Sequence, residues 1–67
     1  MKITLKAARV NAGFSQKAAA LKLGVSNKTV SNWEKGKSSP TVLQANELCK
    51  LYEVSYDNVI FLHTDSL

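Results

Sequence analysis

Asn27, Lys28, Ser31 and Asn32 are the side chains whose types and spacing best suit a chemical task, and the task is recognition. One to five residues apart along a helix, they lie largely opposite the face shared by Val30 and Trp33. Short amides and an ammonium group near the N-terminal half of a helix are what a DNA major groove requires. Asn can pair bidentately with adenine, and Lys can donate to the acceptor edge of guanine. The plainer alternative is a solvated polar face. Asn32 could equally brace a neighbour, and Thr29 could either reach a thymine methyl or cover the preceding helix.

Charge supports recognition of a polyanion. Residues 1–37 carry eight basic side chains and one acidic one, a net of +7, whereas residues 38–67 carry one basic and four acidic ones, a net of −3. Such polarity turns one face toward nucleic acid and leaves another for something else; the alternative is accidental clustering on a soluble surface. Phosphate ligands should flank the reading helix. Gln16 and Lys17 open a helix, where free amide N–H groups and the dipole favour an anion. Ser26, Lys35, Lys37 and Ser38 bracket the reading helix itself. Each lysine is either a phosphate ligand or a solubilising charge.

These side chains need short helices set at defined angles. Thr4 is placed to cap a first helix running to about Ala12, with Gly13 at its left-handed end. Ser15 caps a second, about Gln16 to Leu23, where Ala18, Ala19 and Ala20 permit close approach. Phe14 and Ala19 make a weak staple across its start. Gly24 turns the chain at positive φ, Val25 plugs the corner, and Ser26 caps a third helix, about Asn27 to Lys35. Two helices joined in this way form a helix-turn-helix. Thr41 and Gln44 match a capping box for a fourth helix, about Val42 to Tyr52, burying Leu43 or Val42 with Ala45, Leu48, Cys49 and Tyr52. Val54 plugs a second corner. Ser55 is placed to cap a fifth helix, about Tyr56 to Leu62, and His63 to Leu67 reads as a tail. With no strand signal, the expected fold is all-α: five short helices in a single domain over 1–67, its core about 3–62.

Other functions lack their residues. Cys49 is the only cysteine, so no internal disulfide forms and no metal-ligand cluster exists. Between Leu48 and Leu51 it suits a small buried hydrophobe, with an intermolecular disulfide or a reactive thiol as the alternative. No signal-peptide core or membrane-length apolar run is present, so a cytosolic protein without membrane contact is expected. His63 is alone, and Glu47, Glu53 and Asp57 have no paired base or nucleophile. No enzymatic activity, cofactor or metal is expected.

Ser15-Gln16, Leu23-Gly24-Val25-Ser26, Val30, Trp33-Glu34-Lys35-Gly36-Lys37 and Pro40 together resemble the Cro/lambda-repressor-like helix-turn-helix family, most closely its xenobiotic-response-element group of bacterial and phage regulators. The resemblance runs from about Leu5 to Leu62. Ala18-Ala19-Ala20 departs from the family's acidic and leucine-rich second helix. The resemblance implies a sequence-specific, double-stranded-DNA-binding transcriptional regulator, most simply a repressor that occupies its operator. It places base contacts at Asn27, Lys28 and Asn32, and has Gln16 touch the DNA backbone and support a recognition side chain. It also pairs Arg9 with Glu34 in a partly buried salt bridge between the first and third helices. An isolated carboxylate there would repel DNA; paired, it becomes a brace. A two-fold dimer reading half-sites about one helical turn apart suits so small a reader. Its contacts would come from the C-terminal half, around Tyr56, Val59, Ile60, Phe61 and Leu62, with Phe61 as candidate anchor; alternatively these residues fill the monomer core. Two other functions compete: a protein-interaction module of antitoxin or anti-regulator type working through the acidic C-terminal face, and a nucleic-acid chaperone with no sequence preference.

Overall fold

The computed structural model describes residues 2–61. A two-residue strand, β1 (Ile3–Thr4), leads into four α-helices: α1 (Leu5–Asn11), α2 (Gln16–Leu23), α3 (Asn27–Lys35) and α4 (Val42–Tyr52). A single 3-10 turn at Tyr56–Asn58 then delivers the chain to β2 (Val59–Ile60).

Each α-helix begins at the expected hydroxyl. Thr4, Ser15, Ser26 and Thr41 hold extended backbone, and each side chain accepts an N–H from three residues on. At Thr41 the capping box is complete: its N–H donates to Gln44 Oε1 at 2.9 Å, and the Gln44 N–H donates to Thr41 Oγ1 at 3.1 Å. Gly24 and Gly36 end α2 and α3 at φ 73° and 79°, where a side chain would be strained. Glu53 ends α4 in the same left-handed region at φ 56° without being glycine.

The core gathers where the inner helix faces meet. Leu5 and Ala8 come from α1, Ala19 from α2, Trp33 from α3, Leu48, Cys49 and Tyr52 from α4, and Val59 from β2. On α2 only Ala19 and Ala20 are fully buried, and Leu23 packs half-buried against the same cluster. Phe14 packs on the same cluster, its ring centroid 6.2 Å from that of Tyr52.

Three expectations change. The fifth helix is absent: after one 3-10 turn, closed by Asn58 N–H donating to Ser55 O at 2.9 Å, Val59 turns extended. The Ser55 side chain makes no cap bond. The all-α description therefore holds for the bulk of the fold, with four α-helices plus a short parallel ribbon in which Ile3 pairs with Val59 and Thr4 with Ile60. β-branched residues at 59 and 60 suit a pleated ladder, and pairing lets Val59 enter the core. The ribbon joins the two ends of the described chain, a long-range contact that local patterning does not reveal. Second, neither Val42 nor Leu43 is buried; they are 71% and 70% exposed. Third, Phe61 is half-buried against the core cluster and against the Tyr56 ring (5.4 Å between centroids), so it is no exposed anchor. Leu62 and the expected tail at His63 to Leu67 lie outside the described residues.

Candidate nucleic-acid interface

The sequence of α3 divides it into two faces. Val30 and Trp33 are 1% and 5% exposed and tie the helix to the core. Asn27 and Lys28, in the first turn, are exposed, while Ser31 and Asn32 are half-buried. The four polar residues therefore differ in reach: Asn27 and Lys28 stand free, and the other two sit closer to the helix flank. Ser26 Oγ accepts the Thr29 N–H at 3.0 Å and lies 2.8 Å from Thr29 Oγ1. Both hydroxyls are thus engaged in shaping the start of α3.

The flanking residues differ in exposure: Ser26 is exposed and Gln16 is half-buried. Lys17 is exposed in the first turn of α2, and Lys35, Lys37 and Ser38 are exposed around the C-terminal end of α3. The left-handed Gly36 turns the chain there, and the Lys37 N–H returns to Asn32 O at 3.0 Å. This reverse turn keeps Lys37 and Ser38 beside α3 instead of extending past it. All seven lysines of residues 2–37 are exposed.

The one arginine and the one carboxylate of that basic segment are withdrawn from solvent together. Arg9 Nε donates to Glu34 Oε2 at 2.7 Å, with the side chains 9% and 5% exposed. Arg9 Nη2 reaches Glu34 Oε1 at 3.3 Å, and Nη1 donates to the Phe14 carbonyl at 2.8 Å. The hydrogen bond to Glu34 raises the Arg9 pKa against the opposing effect of burial, so the guanidinium stays charged. The pair links α1 to α3, and it leaves the outward field of the basic half to lysines alone.

Gln16 has a protein partner that sequence reasoning did not foresee. It is half-buried, and its Nε2 donates to Glu34 Oε1 at 3.0 Å. Glu34 as the only acid among many donors was the available signal. Tyr52, on α4, lies close to this pair. Burial pushes its hydroxyl up to about 12, with Glu34 adding to the effect and Arg9 opposing it. Its Oη has no hydrogen-bond partner among the described residues.

Several large apolar side chains are exposed, among them Val10 and Leu21. Val42, Leu43, Tyr56 and Ile60 are exposed. A groove of about 120 Å³ runs between Ser39, Pro40, Val42, Ala45, Tyr56 and Phe61. Among the described residues there is no cluster of three or more His, Cys, Asp or Glu able to hold a metal, and no helix long and apolar enough to cross a membrane.

The helix-turn-helix family profile matches residues 5–59. The HTH-type transcriptional regulator ImmR of Bacillus subtilis is 41% identical over 56 residues, which are 84% of this chain but 44% of ImmR. YgzD of the same organism, described as an uncharacterized HTH-type transcriptional regulator, is 32% identical over 66 residues, 98% of this chain and 100% of its own length. The chain thus spans under half the length of one relative and all of the other.

Proposed function

Because the chain belongs to the helix-turn-helix family of DNA-binding transcription regulators, we propose that it binds double-stranded DNA sequence-specifically, inserting α3 into the major groove, and represses by occupying its operator. The observation that carries this reading is the division of α3. Val30 and Trp33 hold it rigidly while Asn27 and Lys28 project from its first turn amid a surface of lysines. In this reading Asn27 and Lys28, with Ser31 and Asn32 beside them, meet base edges. Gln16, Lys17, Ser26, Lys35, Lys37 and Ser38 hold phosphates and fix the register. The cytoplasm is its place of action.

We further propose that it reads DNA as a homodimer through the C-terminal half. Exposed Val42 and Tyr56 line one groove with Phe61, and exposed Leu43 and Ile60 would add to the apolar contact that Phe61 was expected to anchor. Two copies related by a two-fold axis would present two reading helices to successive turns of one groove face.

The test is selection of bound sequences from a random duplex pool at near-physiological salt. An enriched palindrome with half-sites one helical turn apart is the expected result. Weak, salt-sensitive binding with no enrichment would overturn sequence-specific reading and favour a chaperone. The exposed apolar surface also favours a second reading, a protein-interaction module of antitoxin or anti-regulator type. An equimolar partner retained at high salt, with no selected duplex, would establish it.

A further inference from the structure

A carboxylate can only accept hydrogen bonds. Both oxygens of Glu34 are occupied: Oε2 accepts from Arg9 Nε, and Oε1 accepts from Arg9 Nη2 and from Gln16 Nε2. The Gln16 amide therefore has one orientation, nitrogen toward Glu34 and oxygen turned away. Arg9 simultaneously holds the Phe14 carbonyl, immediately before the Ser15 cap of α2. The ion pair thus grips the N-terminus of α2 at two points, one on its backbone and one on its first side chain. Glu34 itself rides on α3.

We infer that Glu34 is a positioning residue: it presets Gln16 for contact with DNA and fixes the start of α2 relative to the reading face of α3. This inference rests on the DNA-binding reading above. A free glutamine at a helix start gives up rotamer freedom when it binds, whereas a held one has already lost it. One Nε2 proton is bound to Glu34, and the other remains to donate to a phosphate oxygen. Gln16 is neutral, so its contact releases no counterion, unlike one made by Lys17. Gln16 should therefore contribute affinity without contributing to salt dependence, and only while Glu34 holds it.

The experiment measures affinity for one selected duplex with the wild-type chain, Gln16→Ala, Glu34→Gln and the double variant. In the wild-type background Gln16→Ala should weaken binding roughly tenfold and leave the salt slope unchanged. In the Glu34→Gln background the side chain at position 34 keeps one oxygen for Arg9 and turns N–H groups on Gln16. There Gln16→Ala should change affinity by less than about twofold. Equal fold-losses in both backgrounds overturn the inference but leave DNA reading intact. Failure of the wild-type chain to select any duplex overturns both together. If Glu34→Gln does not fold, NMR order of the Gln16 side-chain amide in the DNA-free wild-type chain decides. An amide as rigid as the α2 backbone supports preset positioning. One as mobile as the amide of exposed Asn46 overturns it.

Discussion

Ile3 lies in register with Val59 across a parallel two-strand ladder, so the first and last described elements close on each other over the core. The side chains of β2 divide accordingly, with Val59 buried and Ile60 40% exposed. Val59→Ala should cost about 2 kcal/mol, from lost apolar burial and the cavity left behind. Ile60→Ala should cost under about 0.5 kcal/mol in a monomer, as surface changes usually do. Urea denaturation of both variants checks this. Equal losses would place the two side chains in like environments and contradict the ladder.

The contrast between that ladder and the helices shows what local sequence carries. Thr4, Ser15, Ser26 and Thr41 cap through bonds to residues three positions on, so their chemistry is complete within one turn and legible as written. Gly24 and Gly36 likewise mark their turns by what they alone permit. Val59 and Ile60 followed a helix-like apolar pattern, but their state is decided by a strand more than fifty residues away. Glu53 takes a left-handed conformation with no glycine to announce it. Val42 and Leu43 are apolar by type, yet α4 turns both outward. In the candidate site, exposed Asn27 and Lys28 were readable from helical spacing. The Gln16–Glu34 bond was not, because its acceptor lies on another helix.

Arg9 and Glu34 form a mostly buried pair, and removing one partner leaves an uncompensated charge. Arg9→Met should therefore destabilise the domain by roughly 3–5 kcal/mol. Replacing both with apolar residues, Arg9→Met with Glu34→Leu, should recover most of that loss, because neither ion then requires desolvation. DNA affinity should not return with stability, since the Gln16 anchor is gone. Thermal unfolding and duplex titration on the same samples separate the two effects. Recovery of both would assign the pair to packing alone.

Tyr52 gives a pH dependence whose sign can be worked out. Its hydroxyl is held up to about 12 in the folded chain against an ordinary 10, chiefly by burial. The folded state therefore favours the neutral phenol. The associated stability is intact below pH 10 and is lost as pH rises through about 12. Tyr52→Phe removes this contribution, so the variant should fall less steeply across that window. At neutral pH it should be as stable as the parent or more so, because an unmatched buried hydroxyl costs about 1–3 kcal/mol. Urea midpoints between pH 8 and 12, on parent and variant together, test the assignment. A neutral-pH loss above about 1 kcal/mol would show that Oη has a partner after all.

The two classes of DNA contact predict different failures. Asn27→Ala and Lys28→Ala each remove a proposed base contact, and discrimination at one base pair should fall by about 1–3 kcal/mol. Lys37→Ala should weaken all duplexes alike and flatten the salt slope by about one unit. Binding measured on the selected site and on unrelated duplexes, across a salt series, resolves these cases. Equal loss of specific and non-specific binding in all three variants would remove Asn27 and Lys28 from base reading.

The apolar surface supplies the last distinction, between a reader that works singly and one that works in pairs. Leu43 is 70% exposed and neighbours Val42, which lines the groove with Pro40, Ala45, Tyr56 and Phe61. In a two-fold interface each patch meets its own copy, so one substitution acts twice. Leu43→Glu should thus disrupt association while leaving the monomer folded, since the side chain contributes little to the core. Affinity for a single half-site should stay within about twofold, as expected for a distant surface change. Affinity for the full palindrome should drop toward the half-site value, because the second site is no longer bound by a linked copy. Sedimentation with and without the palindrome reads the first effect, and titration of both duplexes reads the second. Unchanged sedimentation together with unchanged palindrome affinity would free this surface from dimerisation and return it to a different protein partner.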